Sequence, residues 1–152
     1  MIFIGVRDDL GIAPSHPGAE SKPVTVREAI SGVCIVERFH EGGSKLSIAC
    51  HKLQPGQSAD DLYPNWGFQL RRLSWNEVAP TISKSGGATG HIHPERPRKL
   101  QGREYARIAS FPDRFQFVGQ ESPIQDRIGN SVPPLFMEAI ARHIRQEILG
   151  KA

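Results

Sequence analysis

Residues 98–134 read RKLQGREYARIASFPDRFQFVGQESPIQDRIGNSVPP, and this stretch decides how the rest of the chain is understood. Gly102 to Ser110 has helical spacing. Tyr105, Ile108 and Ala109 make an apolar stripe, and Arg103 and Arg107 lie one turn apart on another face. Ser122-Pro123-Ile124-Gln125 has the form of a capping box with proline at the first helical position, so a short helix is expected to start there and end before Gly129. Gly129-Asn130-Ser131 is then a turn ahead of another helix, a place where backbone N–H groups and a side-chain amide can meet a polar ligand. Pro133-Pro134 opens that helix, because the first N–H groups of a helix have no partners to lose. Phe136, Ile140, Ile144 and Ile148 recur along it every four residues, and Gly150 is expected to stop it. So regular an apolar stripe needs a surface to cover.

Two blocks within this stretch carry a family resemblance. Arg98-Lys99-Leu100, Arg103-Glu104, Ala106-Arg107 and Phe111-Pro112-Asp113 resemble the ninth motif of DNA cytosine-5 methyltransferases. Ile128-Gly129-Asn130-Ser131-Val132-Pro133-Pro134 resembles their tenth and last motif, in the family's order and after a short spacer. The resemblance implies that Asn130, Ser131 and Val132 contact S-adenosyl-L-methionine, completing a pocket whose other walls lie outside this chain. It also implies that Arg98, Arg103, Glu104 and Arg107 form structural ion pairs that orient a target recognition domain. Gln101 and Gly102 stand where the family usually has a threonine cap and a proline or valine, so a weaker helix start is expected.

The chain has 152 residues, the size of one domain. It contains no PCQ nucleophile loop, no ENV triplet and no glycine-rich cofactor loop. Met1 to Leu10 resembles the strand that follows the family's eighth motif, a Gln-x-Arg-x-Arg run. Two explanations remain open: a natural subunit of a methyltransferase encoded as two polypeptides, or a truncated piece of a longer protein. No catalytic residue is assigned, and the chain by itself is expected to be inactive. In the mechanism the resemblance implies, a flipped cytosine is attacked at C6 by a cysteine thiolate, and its C5 then takes the cofactor methyl group. The thiol, the glutamate that steadies the base and the motif-eight arginines are not in this sequence.

The expected fold is α+β: a small, irregular, β-rich target recognition domain with flanking helices, and one strand that would complete the α/β catalytic domain of the whole enzyme. Residues 1–31 are expected to form the edge of the catalytic domain and 32–97 the recognition domain. Residues 98–128 would be the motif-nine helix and linker, and 129–152 the motif-ten turn and C-terminal helix. Ile2, Ile4 and Val6 alternate with Phe3 and Gly5 in a run apolar on both sides, as in a strand buried on both faces. Arg7-Asp8-Asp9-Leu10-Gly11 breaks it, Pro14 to Pro23 is a connector, and the capping box Thr25-Val26-Arg27-Glu28 starts a helix from Arg27 to Ile30.

From Ser31 to Pro97, glycines and prolines at Gly42-Gly43, Pro55-Gly56, Pro64 and Gly86-Gly87 punctuate what reads as short strands and loops. Leu70 to Glu77, followed by Ala79-Pro80-Thr81-Ile82, is similar to the family's recognition-domain core. Arginine can donate two bonds to guanine O6 and N7, which makes Arg71 and Arg72 the leading base-reading candidates. On a strand these neighbours cannot both face the same way. Ser83, Lys84 and Ser85, in the small-residue loop up to Gly90, are candidates for approaching DNA; an ordinary hairpin loop is the alternative.

Between Arg71 and Arg107 there are eight basic residues against three acidic ones, although the whole chain carries only +3. Such a density fits a phosphate-facing surface as well as it fits a solvated face, and the resemblance favours double-stranded DNA. No apolar run approaches the roughly 20 residues that span a bilayer, and no signal peptide is recognisable, so no membrane partner and a cytoplasmic location are expected. Cys34 and Cys50 are expected to be buried thiols rather than a disulfide or a metal pair with His51. His91-Ile92-His93-Pro94 lacks further ligands at zinc spacing, so a structural role is expected and no metal. The function implied is the target-recognition and C-terminal portion or subunit of a DNA (cytosine-5) methyltransferase of the restriction-modification kind, partnered by the N-terminal catalytic half. The alternatives are a stand-alone DNA-binding module and an inactive remnant of such an enzyme.

Overall fold

A computed structural model describes residues 2–19, 22–34, 43–64, 70–84 and 90–151, with Glu121 and Ser122 described by their backbone. The expectations placed on Ser85 and on the loop at Gly86-Gly87 lie outside these residues. The chain divides into two compact units. One is Pro23–Ser131; the other joins Met1–Lys22 to Val132–Ala152. These boundaries differ from the sequence reading, which divided the chain after residues 31, 97 and 128.

In the larger unit, α1 (Val26–Ile30) begins at Thr25. The Glu28 N–H donates to Thr25 Oγ1 at 3.3 Å, and the Thr25 N–H donates to Glu28 Oε2 at 2.7 Å, so each residue satisfies an orphan donor of the other. Two further N–H groups of the first turn, at Val26 and Arg27, donate to the carbonyls of Glu77 and Trp75. Val26 and Ile30, one turn apart, face the core.

The segment expected to be β-rich contains a helix instead, α2 (Lys45–Lys52), started by Ser44, whose Oγ accepts the Ser47 N–H at 3.2 Å. Leu46, Ala49, Cys50 and Leu53 have helical spacing and meet Ala59, Leu70 and Ile92 in a core of their own. Among the described residues the strands are two of three residues each, β1 (Leu70–Arg72) and β2 (Gly90–Ile92). They pair in parallel with Leu70 opposite Gly90 and Arg72 opposite Ile92, so the connection between them is a crossover and not a hairpin.

Helix α3 (Gly102–Ile108) packs against both α1 and α4 (Glu121–Gly129). Leu73, Leu100, Tyr105, Ala106, Ile124 and Ile128 join Val26 and Ile30 in the larger core. At the end of α3, Phe111 N–H donates to the Ala106 carbonyl and Ser110 N–H to that of Arg107, with Ser110 at φ 63°. This is a Schellman closure with serine where glycine is usual. Helix α4 starts one residue before the expected cap: Gln120 is its N-cap, Ser122 lies in the first turn and Pro123 is the third helical residue. Proline is tolerated there for the same reason as at the first position, because that turn has no N–H bonds to lose. The helix runs through Gly129 instead of ending before it.

In the smaller unit, residues 2–7 form no ladder among the described residues. Ile2, Ile4 and Val6 are half-buried while Phe3 is 84% exposed, so the run is one-sided and not buried on both faces. Asp8–Leu10 is a single 3-10 turn closed by Gly11 at φ 63°. Helix α5 (Pro134–His143) continues through a π-helical turn over Ile144–Ile148 and a 3-10 turn over Leu149–Lys151, so Gly150 does not stop it. Ser15 Oγ and His143 Nε2 are hydrogen-bonded at 2.9 Å, tying the N-terminal connector to α5. Ile140 and Ile148 of the stripe are buried, but Phe136 is 51% exposed, beside Leu135 at 63% and Met137 at 47%.

Candidate functional site

The buried centre of the larger unit is an ion pair. Arg98 and Glu104 are each 2% exposed and meet in a two-point fork, Nη1 to Oε2 at 2.8 Å and Nη2 to Oε1 at 3.0 Å. Glu104 Oε2 also accepts the Gln101 N–H at 2.9 Å, so the carboxylate caps α3 where the sequence lacks the usual threonine. His93 Nε2 lies 3.7 Å from Glu104 Oε1. Its Nδ1 accepts the N–H groups of Glu95 and Arg96, which leaves the proton on Nε2, facing the carboxylate. Burial lowers the His93 pKa, opposed by Glu104 and assisted by Arg98. His91 is pushed down to about 4 by burial and by the positive charges of Lys99 and Arg71. Tyr105 Oη accepts the His91 N–H at 2.9 Å, and burial raises that phenol's pKa. Both histidines are therefore built into the packing, and among the described residues no group of three or more His, Cys, Asp or Glu converges on a metal site.

The neighbouring arginines of β1 diverge as the strand pleat requires. Arg72 points inward, 5% exposed. Its Nη1 donates to the carbonyls of His93 at 2.7 Å, Pro94 at 3.2 Å and Arg96 at 3.3 Å, and its Nη2 donates to the carbonyl of Cys50. The last of these is an orphan acceptor at the end of α2, so Arg72 joins that helix to the 93–96 loop. This corrects the base-reading assignment: the guanidinium is committed to backbone oxygens and has no face open to DNA. Cys50 beside it is buried and its thiol is pushed up to about 11 by burial, against the pull of Arg72 and Lys99; Cys34, expected buried, is exposed.

Arg71 points outward. Its Nε donates to the Gly56 carbonyl at 3.0 Å, and its side chain lines an open cleft of about 260 Å³ with Ser58, Asp60, Pro80, Thr81 and His91. Ser83 and Lys84 are exposed. The remaining motif residues grip the loop after α3. Arg103 Nη1 donates to the Asp113 carbonyl at 2.6 Å, while Arg107 makes two 2.7 Å bonds to the Asp113 carboxylate. That contact lowers the pKa of Asp113 and raises that of Arg107.

Asn130 ends α4 as its C-cap, its N–H donating to the Asp126 carbonyl at 3.1 Å. Ser131 turns its Oγ back onto the Ile128 carbonyl at 2.7 Å. Asn130 is exposed, and its side-chain amide has no partner among the described residues; Val132 is 46% exposed. Sequence reading missed Asp113 as the anchor of Arg107, and Gly129 as a close neighbour of the Ser83–Lys84 backbone. The signal for Arg72 was present: Leu70 lies on the same strand face, and an apolar residue there marks that face as the inner one.

The described residues thus hold a buried guanidinium–carboxylate brace, an outward arginine beside a cleft, and an exposed turn whose side-chain amide has no partner among them. The family model for C-5 cytosine-specific DNA methylases matches residues 19–146. The chain is 42% identical over 170 residues to the Type II methyltransferase M.PspPI of Psychrobacter sp. (strain TA137), covering 95% of this chain and 41% of that protein. It is 41% identical over 170 residues to the Type II methyltransferase M.Eco47II of Escherichia coli, covering 95% of this chain and 40% of that one. A crystallised prophage-encoded protein of E. coli, described as a putative DNA modification methyltransferase, shares the fold with a TM-score of 0.71 at 21% identity, over 95% of this chain and 53% of that one. The chain belongs to the C-5 cytosine-specific DNA methylase family and spans less than half the length of these two curated relatives. Among the described residues no helix is long and apolar enough to cross a membrane.

Proposed function

We propose that this chain is the target-recognition and C-terminal portion of a DNA (cytosine-5) methyltransferase. It holds duplex DNA and completes the cofactor pocket of a catalytic half that carries the cysteine. Arg71, Ser83 and Lys84 are the groups that meet DNA: all three are exposed, and the Nη groups of Arg71 have no partner among the described residues. A guanidinium fork free in this way can address a guanine edge or a phosphate.

Asn130, Ser131 and Val132 would hold S-adenosyl-L-methionine. The exposed amide of Asn130 offers both a donor and an acceptor without breaking an internal bond, and the exposed Val132 side chain adds apolar contact, which suits a ligand with polar and apolar parts. When bound, that group supplies the methyl carbon. The residues of this chain bind and orient; none of them is asked to attack the base or move a proton.

The observation that carries this reading is the exposed start of α5. Leu135, Phe136 and Met137 are about half exposed or more and follow directly on the Asn130–Val132 turn. An exposed apolar helix start that comes next in the chain after the proposed cofactor-binding residues fits docking onto the cofactor-bearing half of the enzyme. The test is to mix the chain with a polypeptide bearing the PCQ, ENV and Gln-x-Arg-x-Arg segments and follow transfer of labelled methyl to duplex DNA. Transfer is expected from the mixture and none from this chain alone. A mixture without activity would overturn the reading.

A further inference from the structure

The last residue of α4 has no room for a side chain. A Cβ on Gly129 would lie 2.7 Å from the backbone nitrogen of Lys84, 2.7 Å from the carbonyl carbon of Ser83 and 3.0 Å from its oxygen. These are main-chain atoms, which cannot swing aside as the tip of a long side chain can. Gly129 has no positive φ, so the glycine is required by this approach and not by backbone conformation. One turn earlier on the same helix, Gln125 is 7% exposed, and its Nε2 would lie 3.1 Å from a Cβ on Gly90. Gly90 is itself at φ 117°, packed close to Tyr105 Oη and Lys99. Helix α4 thus touches the chain on both sides of the 85–89 connection, with Gly129 against Ser83–Lys84 and Gln125 against Gly90.

From this contact we infer that Gly129 is a positioning residue for DNA binding. Its bare Cα seats the Ser83–Lys84 backbone on the end of α4, and so fixes Lys84 relative to Asn130 and Ser131, the next two residues of the same unit. The inference rests on the proposed DNA-contacting role of Lys84 and adds what sets that contact. A phosphate contact depends on where its ammonium stands, because a displacement of an ångström or more exchanges a direct charge-assisted bond for solvent. The side chains of Ser83 and Lys84 are exposed and make no hydrogen bond or ion pair among the described residues.

The test uses the full chain and a mixed-sequence DNA duplex. In the native chain Lys84→Ala is expected to weaken binding and to lower the slope of log Kobs against log salt by about 1. Gly129→Ala is expected to do the same, and Lys84→Ala added to Gly129→Ala is expected to change neither affinity nor slope further. A glycine with a purely structural role would leave the Lys84→Ala effect intact on the Gly129→Ala background, and that result overturns the inference; so does a native chain that binds DNA without any contribution from Lys84. The seat has its own readout. Alanine normally favours a helix over glycine, so packing apart, Gly129→Ala would raise the melting temperature. It is expected to lower it, and a rise would overturn the inference whatever the DNA data show. A fall combined with no DNA binding by the native chain leaves the seat in place, removes the positioning role and refutes the DNA reading itself.

Discussion

Replacing Glu104 by glutamine tests whether the ion pair with Arg98 is the internal strut of the larger unit. The two side chains have almost the same shape, so little packing is lost. The carboxylate accepts from Arg98 Nη1 at 2.8 Å, Arg98 Nη2 at 3.0 Å and the Gln101 N–H at 2.9 Å. Glutamine keeps one oxygen and turns an NH2 group toward donors, so at least one of those contacts becomes donor against donor. Arg98, 2% exposed, is then left as a buried charge without its counter-ion. Breaking a buried pair from one side costs about 3–5 kcal/mol, a large share of the roughly 5–15 kcal/mol that holds a domain together. In a urea titration followed by far-UV circular dichroism, with a slope of about 2 kcal/mol per molar, the midpoint should fall by about 1.5–2.5 M with the slope unchanged. The double variant Arg98→Met with Glu104→Leu should recover much of the loss, because it removes the unpaired charge along with the pair. A loss below about 1 kcal/mol for Glu104→Gln would place the pair in the range of exposed surface bridges and refute the argument.

Three further outcomes follow from the same geometry. Arg72→Ala should destabilise the chain by at least about 3 kcal/mol by orphaning buried carbonyls, while Arg71→Ala should stay within about 0.5 kcal/mol in stability and weaken binding to duplex DNA; equal stability losses from the two would contradict their opposite orientations. His91 takes up its proton near 4 when folded against an ordinary 6.5, so between those values the unfolded chain binds more protons. Stability is then complete above about pH 6.5 and falls as pH drops toward 4, by up to about 3 kcal/mol, and His91→Gln should flatten this part of the urea-midpoint profile; an unchanged profile would remove the histidine from the account. In the reconstituted enzyme Asn130→Ala should raise the KM for S-adenosyl-L-methionine by about tenfold, as expected for one or two lost hydrogen bonds, with the melting temperature of the free chain little changed; an unaltered KM excludes the amide from the pocket.

At two helix starts the local signals in the sequence led to the local structure, whereas the Ser122-Pro123 cap and the stop at Gly150 did not hold. Thr25 and Glu28 satisfy each other's orphan donors within four residues, and Pro133-Pro134 opens α5 because a helix start needs no donor there. Helix α2 was hidden because Gly42-Gly43 and Pro55-Gly56 bound a strand as readily as a helix. The burial of Ala49 and Cys50 depends on Leu70 and Ile92, far along the chain, and no local window contains that information. For Arg71 and Arg72 strand parity was legible from their adjacency, but the choice between them required giving Leu70 weight as the marker of the inner face. Arg72 then finds acceptors at residues 50, 93, 94 and 96, which only tertiary folding brings together.

Gly129 shows the same limit from the opposite side. In the sequence it reads as one residue of a turn, and glycine in a turn is ordinarily explained by conformational freedom. In the structure it is helical and uses no such freedom; what excludes a side chain is the main chain of Ser83 and Lys84, from a segment whose only sequence mark was a run of small residues. The two explanations make opposite predictions for alanine. A glycine kept for flexibility at a helix end should accept alanine with a gain in order, whereas a glycine kept for a backbone approach of 2.7 Å should lose both stability and the placement of Lys84. The sign of one melting-temperature shift therefore decides whether this motif is a turn next to the recognition segment or the part of the fold on which that segment is mounted.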